Sequence, residues 1–505
     1  MNAPSSITEV LEAACLGTPD AVALVDERRR LTFEELIAGA AALAGEYRAR
    51  GVTSGERVVC SVSNRVEHVV AMTAAWWAGA THVCADYRAT AHELSRIVTL
   101  TQARALVYER PDDGNDAVRR LRSDHPSLEI LTVDGGLPVT GASAERATVQ
   151  PDAAAVVFVT SGTTGTPKAT IGYHGNLAQR WYRLSGWLRF AEDDVHLAHM
   201  PLSHGFGLLT AISALMANGS LVLLDRFSPA RALDAVERER VTVIGGAPAH
   251  FRLLLSRFAE APSNVSSLRL GIGTAASFEP ELVREIRASL GLRMAIMYGS
   301  SEGVGVATDE EDDVLRGAVG RPRPGSVTIL APDGTTLPPG AVGEIAFSRS
   351  VFPVRYWGDA TPTTPWYHSG DLGRLDEEGR LFVHGRLAHQ IDRGGLKIDP
   401  VEVELAIAAH GGVADAAVVG VPDPVVGERV CACVVPGMRD DLSLSDLRAS
   451  LRDVLAPYKL PDDLCVLDEI PRSAIGKVDL LALRAKVTRA DRESIRSSTI
   501  ATGTR

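Results

Sequence analysis

The nine residues TSGTTGTPK, Thr160 to Lys168, join short hydroxyl side chains, two glycines and a lysine directly after the apolar run Ala154 to Val159. A run of that kind reads as a buried strand. Hydroxyl donors, backbone freed at Gly162 and Gly165, and the charge of Lys168 can together surround a phosphate. The pattern differs from GxxxxGK[ST], because Pro167 precedes Lys168 and Ala169 follows it. Pro167 also disfavours an immediate helix. Clusters of Gly, Ser and Thr are ordinary loop material as well, so the chemistry rests on what accompanies them.

Four further segments carry reactive side chains. MYGSSEG, Met297 to Gly303, brings an aromatic ring, a hydroxyl and the carboxylate of Glu302 close together in the chain. WYHSGDLG, Trp366 to Gly373, offers Asp371 in a glycine-flanked turn. GRLAHQIDRGGLKIDPVEVE starts at Gly385 with Arg386, and PRSAIGKVD, Pro471 to Asp479, presents Lys477 after a glycine. Alone, an Asp in SGD is commonly a turn former and a late GK a surface lysine. Their order and spacing are what inform.

The elements that must position these groups alternate between helix and strand. Thr32 to Glu35 has capping-box spacing, Leu36, Ala40, Leu43 and Tyr47 form a helical stripe, and Gly51 ends it before the strand Arg57 to Val62. Alternation continues through Ala154 to Val159, a helix over Gly207 to Met216, the strand Ser220 to Leu224, a helix over Pro229 to Glu239 and the strand Thr242 to Ile244. This is an α/β pattern, best served by a parallel sheet clad in helices. From about Gly317 short Gly- and Pro-rich strands suggest a small β-barrel or β-meander. The acidic run Asp309 to Asp313 before it reads as a solvated loop. After Gly385 an α+β pattern returns, with a helix over Pro400 to Ala409, strands Ala416 to Val421 and Arg429 to Val435, and a helix over Ser443 to Leu455. The expected division is residues 1–386, a second domain over 387–490 whose compact part runs from about His389 to Val487, and a polar tail, 491–505.

At 505 residues and 45% hydrophobic, the chain can bury more than one core. Its net charge of −11, from 52 basic and 63 acidic residues, shows no footprint for nucleic acid or anionic lipid. The N-terminus has no basic, apolar export pattern, and no run approaches the roughly 18 apolar residues of a membrane helix, so a cytoplasmic protein without a membrane span is expected. Cys431 and Cys433 form the one close cysteine pair, on one strand face with nothing else to ligate, and read as buried thiols. His196 and His199 fall on opposite faces of an extended Val195 to Met200, which argues against a shared metal.

Taken in order, the five segments resemble the adenylate-forming superfamily of acyl-CoA and aryl-CoA synthetases, nonribosomal peptide adenylation domains and firefly-type luciferases, over essentially residues 10–487. The resemblance implies a large N-terminal domain of two α/β subdomains plus a small β-barrel, and a mobile, smaller α+β C-terminal domain as lid. It implies a reaction in which ATP and a carboxylic acid give an acyl-AMP and pyrophosphate, followed by capture of the acyl group by a thiol. Thr160, Ser161, Gly162, Thr163, Thr164, Gly165 and Lys168 would then hold the β- and γ-phosphates, and Glu302 the Mg²⁺. Ser301 would bond the α-phosphate where the family often has Thr. Tyr298 and Gly299 would face the adenine, with the Thr274, Ala275 and Ala276 backbone lining its pocket. Asp371 would accept from both ribose hydroxyls, Arg386 would support the ribose and phosphate side, and Lys477 would bridge the substrate carboxylate and the α-phosphate.

Two departures stand out. Ala388 and His389 occupy the usual hinge, with Asp392 where a basic residue is frequent, and SRSVFPVRYW lacks the glycines that commonly precede GYW. For the acid, Gly205 stands where amino-acid-activating domains place an Asp, which disfavours an α-amino acid. His204 resembles the aromatic or His gate of acyl- and aryl-CoA ligases. Gly245, Gly246, Gly271, Gly273 and Gly305 lack side chains, with Phe206, Ala247 and Val306 as apolar surface, so a roomy pocket for a medium or long aliphatic or bulky aryl acid is expected. The hairpin RGGLKI implies a pantetheine path, open to coenzyme A or to a carrier-protein phosphopantetheine. The leading expectation is a freestanding acid–CoA ligase. Its rivals are loading of an acyl or peptidyl carrier protein, amide formation, a nucleotide-binding protein without turnover, and a luciferase-like oxygenase that would share every motif.

Overall fold

Val58, Val59 and Cys60, like Val156, Val157 and Phe158, are buried at consecutive positions, as strands covered on both faces must be. In the computed structural model they belong to a six-stranded sheet, ordered Glu129–Thr132, Ala105–Tyr108, Arg57–Ser61, Thr81–Cys84, Ala154–Thr160 and Lys168–Tyr173. All neighbours are parallel except the last pair. The structure describes residues 5–109, 114–133, 137, 143–160, 168–276, 278–300, 302, 305–359, 363–393, 396–409, 412–423, 426–437, 442–452, 454–455, 457–473, 476–480 and 482–487.

An eight-stranded sheet runs Gly305–Thr308, Arg293–Gly299, Leu270–Gly273, Val243–Gly246, Val195–Ala198, Ser220–Leu223, Val22–Val25 and Arg30–Thr32. Its interior pairs are parallel and its two edge pairs antiparallel. Helix Val66–Trp77 is buried along its whole length, and one core joins it to Val58 and Ala155 of the first sheet and to Leu221 and Leu223 of the second. A helix apolar on every side has no solvent face to keep. Thr32 caps helix Phe33–Ala49 through a reciprocal box with Glu35, as its spacing indicates.

One carboxylate ties three adjacent strands of the larger sheet at their N-terminal ends. Asp194, Thr242 and Arg269 each immediately precede a parallel strand. Thr242 Oγ1 donates to Asp194 Oδ1 at 2.6 Å, Arg269 Nε to the same oxygen at 2.7 Å, and the Ala191 N–H to Oδ2 at 2.9 Å. Burial pushes the Asp194 carboxyl up, but the hydrogen bonds from Arg269, Thr242 and the Ala191 backbone outweigh it and hold the group below the usual range.

The described residues divide into two compact units. Both large sheets lie in the first. In the second, Val327–Leu330, Gly343–Ser348, Trp366–Leu375 and Leu381–Arg386 form a four-stranded antiparallel sheet in chain order, so the barrel-or-meander pattern resolves as a meander. A five-stranded sheet of Leu396–Ile398, Ile391–Arg393, Gly427–Pro436, Val413–Asp423 and Asp463–Val466 follows, with helices Pro400–Ala408 and Leu444–Leu451. Helix Leu444–Leu451 ends before the expected Leu455.

Other differences have local causes. The acidic run is solvated at Glu310, Glu311 and Asp312 as expected, but it is not all loop: Glu311–Leu315 is a short helix, Asp313 is buried, and Asp309 and Glu311 pair with Arg293 and Arg287. Cys431 and Cys433 are buried as expected, but Cys465 stands opposite Cys433 in the neighbouring parallel strand and shares their cluster. Strand pairing, invisible in local spacing, brings it there. No described helix is long and apolar enough to cross a membrane.

Asp194→Ala should lower folding stability by about 2 kcal/mol, the scale for hydrogen bonds to a charged group. A loss in chemical denaturation below about 0.5 kcal/mol, the ordinary surface-mutation range, would count against the knot. Because the folded carboxyl titrates below its unfolded value, this stabilisation is present above the unfolded value and fades as pH falls through the folded one. The difference between wild type and variant should therefore shrink in acid.

Candidate active site

The strands that bracket the phosphate-loop motif pair in register, Thr160 opposite Lys168. Ser161, Gly162, Thr163, Thr164 and Gly165 lie outside the described residues, as does Ser301. Lys168, exposed at the start of its strand, carries its Nζ 5.6 Å from the ring centre of Tyr356. The Tyr356 hydroxyl donates to Glu302 Oε1 at 3.2 Å. A cation and a carboxylate called for by separate motifs thus meet on one tyrosine. Sequence reasoning missed Tyr356, since RYW drew notice only for its missing glycines. Nothing local indicates that residue 356 pairs with Thr170.

Tyr298 and Gly299 end a strand and pair with Val306 and Gly305. Thr274 follows Gly273, and its N–H donates to the Gly246 carbonyl at 3.1 Å. Ala275 has φ +73°, a conformation costly for a residue with a side chain and characteristic of functional turns. Ala276 is exposed.

The acid-pocket candidates also belong to the first unit. His204 precedes helix Gly205–Met216, and its N–H donates to the Pro201 carbonyl at 3.0 Å. Gly207 permits this turn: a Cβ there would collide with the carbonyls of Pro201 and Met200. It too was missed, although a glycine just inside a helix start is a usable signal.

Gly245, Gly246, Gly271 and Gly305 do not leave the open volume that their composition suggests. A Cβ on Gly245 would meet the Phe206 ring at 2.9 Å, and one on Gly246 the His250 Cβ at 3.1 Å. Met294 fills the space at Gly271, and a Cβ on Gly305 would stand 2.7 Å from the Tyr298 carbonyl oxygen. Neighbouring side chains and backbone occupy what the glycines vacate, a packing outcome composition does not reveal. His196 stacks edge-on to Phe190 at 4.4 Å, whereas His199 packs against Phe227 and His250 at 4.8 and 5.2 Å. Different neighbours on the two rings agree with opposite faces. Burial lowers both imidazoles, His196 to about 4.

In the second unit Asp371 and Arg386 stand opposite each other on paired strands, with Arg386 Nε 2.7 Å from Asp371 Oδ1. Gly370 takes φ +71°, and the Ser369 hydroxyl accepts the Asp371 N–H at 3.0 Å, so SGD is a turn that also aims a buried carboxylate. Lys477 is exposed at a tight turn: Gly476 has φ +78°, and the Ser473 N–H donates to the Lys477 carbonyl at 2.7 Å. Arg472 braces the turn, bonding the Gly476 carbonyl at 3.1 Å and both Asp415 oxygens at 2.8 Å. The expected hinge is a 3₁₀ turn, Leu387–His389. Burial first, then Arg386, Arg484 and Lys477, lower the His389 pKa.

Comparison with known proteins agrees with this arrangement of motifs. The chain belongs to the AMP-binding enzyme family, which matches residues 11–357, while 402–477 match the AMP-binding enzyme C-terminal domain. It is similar to the 2-hydroxy-7-methoxy-5-methyl-1-naphthoate–CoA ligase of Streptomyces carzinostaticus, at 33% identity over 95% of this chain and 93% of that one. It is also similar to a salicylyl-CoA synthase/salicylate adenylyltransferase of a Streptomyces species, at 32% identity over 94% of this chain and 92% of the other. Among solved structures, ATP-bound MatB from Rhodopseudomonas palustris superposes with a TM-score of 0.84 at 29% identity, covering 95% and 98% of the two chains. The protein is an enzyme of the adenylate-forming superfamily, in the class of AMP-forming acid ligases.

Gly245→Ala would push the Phe206 ring from the strand. It should raise the KM for the acid about tenfold, the scale of modest overpacking, and leave the KM for ATP unchanged. An unaltered acid KM would remove Phe206 from the acid pocket.

Proposed function

We propose that the chain activates a compact aromatic carboxylic acid as its acyl-adenylate and delivers it to coenzyme A. The observation that carries this reading is the wall at Gly245, where the Phe206 ring lies close against the strand behind His204. The Phe206 ring offers a flat aromatic face, which suits an aryl acid better than a long flexible chain. The naphthoate and salicylate named for two relatives support the same class of acid.

The chemistry assigns each residue a task. A carboxylate is a weak nucleophile and is repelled by a triphosphate, so charge on both partners must be offset where water is excluded. Lys168, with the hydroxyls of Thr160, Ser161, Thr163 and Thr164, holds the phosphates that leave as pyrophosphate. Glu302 fits a magnesium ligand, an oxygen donor steadied by Tyr356 near the cation of Lys168. Magnesium bound there supplies further charge neutralisation on the phosphates. Tyr298 and Gly299, with Thr274 to Ala276, take the adenine, Ser301 the α-phosphate, and Asp371, steadied by Arg386, the ribose.

Lys477 draws the acid carboxylate and the α-phosphate together. A carboxylate oxygen bonds to the α-phosphorus as the bond to pyrophosphate breaks. In the second step the thiolate bonds to the acyl carbon and AMP leaves, while residues 387–490 act as the lid that exchanges one step for the other. Dependence on ATP and coenzyme A fits a cytoplasmic enzyme.

The test is AMP release over a panel of aryl, fatty and amino acids, with coenzyme A, a carrier protein or an amine offered in turn. A hydroxylated aryl acid with coenzyme A should respond best. A long-chain fatty acid as best substrate, or turnover only with carrier protein or amine, would overturn the assignment. Lys477→Ala should slow adenylation by about 100-fold or more, as loss of a transition-state donor does, with thioester formation from supplied acyl-AMP much less affected. Equal loss in both halves with the fold intact would remove the assigned role.

A further inference from the structure

Tyr356 stands at the junction of two groups that the proposed mechanism treats separately. Its hydroxyl donates to Glu302 Oε1 at 3.2 Å, and its ring lies 5.6 Å from Lys168 Nζ, within the range of a cation–π contact. The backbone around it is fixed independently of the side chain. The Ile171 N–H donates to the Arg355 carbonyl at 3.0 Å, the Trp357 N–H to the Ala169 carbonyl at 2.7 Å, and Tyr356 pairs antiparallel with Thr170. Residues 355–357 therefore extend the edge strand Lys168–Tyr173 that begins with the phosphate-clamp lysine. Because Arg355 contributes its carbonyl and its side chain is exposed, a glycine is not required at that position for the pairing.

From these contacts we propose that Tyr356 is a positioning residue for magnesium–ATP. Its hydroxyl orients the Glu302 carboxylate toward the metal, and its ring holds the Lys168 ammonium beside it. The idea rests on the reading of Lys168 as phosphate ligand and Glu302 as magnesium ligand. Tyrosine engages both at once without transferring a proton: the ring face attracts the cation and the hydroxyl the anion. Edge-strand pairing at Ala169, Thr170 and Ile171 fixes where that ring stands.

The test compares Tyr356→Phe, Tyr356→Ala, Glu302→Gln and Lys168→Ala in the full chain. Magnesium–ATP binding is measured by calorimetry at several Mg²⁺ concentrations without acid, alongside the KM values of the first half-reaction and thioester formation from supplied acyl-AMP. Tyr356→Phe keeps the ring and the backbone pairing, so it should melt like wild type. It should bind magnesium–ATP about tenfold more weakly, the scale of a hydrogen bond lost to a charged group, and need more Mg²⁺ for half-saturation. Tyr356→Ala should be weaker still, with the KM for the acid and the thioester step unchanged in both. Wild-type binding and Mg²⁺ dependence in Tyr356→Phe, while Glu302→Gln and Lys168→Ala are impaired, would overturn the positioning role alone. Wild-type binding in Glu302→Gln and Lys168→Ala would overturn the ligand reading beneath it, and the proposal with it.

Discussion

The Asp194 carboxylate is the constraint on which the larger sheet of the first unit depends. By accepting from Thr242, Arg269 and the Ala191 backbone it fixes the starting points of three neighbouring parallel strands. Strands that start in fixed register also end in fixed register. The far ends of these lead to His199 and His204, to Gly246 and Ala247, and to Gly273 and Thr274. The Thr274 N–H bonds the Gly246 carbonyl across two of those ends. Ligands of open α/β sheets gather at the carboxyl ends of strands because loops there can vary while the sheet stays rigid. In this chain the rigidity comes from a buried carboxylate whose oxygens accept from Thr242, the Ala191 backbone and a partly exposed arginine.

Charge management is the second organising requirement. Lys168 begins one strand and Glu302 follows the end of another in the first unit, and one tyrosine contacts both, whereas Asp371 and Arg386 neutralise each other directly across a strand pair in the second. Direct pairing suits a carboxylate that must stay ionised to accept from hydroxyls. Separation by an aromatic suits a cation and an anion that have different ligands to meet. Lys477 follows a third pattern, exposed on a turn whose backbone is braced by Arg472. Its rigidity lies in the turn and its reach in the side chain.

Much of this was legible in the sequence because the decisive signals were local. Capping at Thr32, the strand at Ala154 and the helix at Pro229 need only a few residues of context, and all stand as read. The ordered motifs identified the family because each is a short run of specialised residues. What escaped was long-range. Tyr356 against Lys168, Cys465 opposite Cys433, and Phe206 in the space of Gly245 are contacts between segments distant in the chain. Composition can count glycines, but only packing decides whether the space beside them is empty. Likewise the pairing of Asp309 and Glu311 was not legible because their partners, Arg293 and Arg287, belong to another strand and helix.

The central claim is that these residues assemble a carboxylate and ATP into an acyl-adenylate before any thiol takes part. Isotope exchange between pyrophosphate and ATP, measured without coenzyme A, probes that step by itself. With an aryl acid present, label should move from pyrophosphate into ATP, and it should not do so when the acid is omitted. Exchange that needs coenzyme A, or proceeds equally without the acid, would contradict the account.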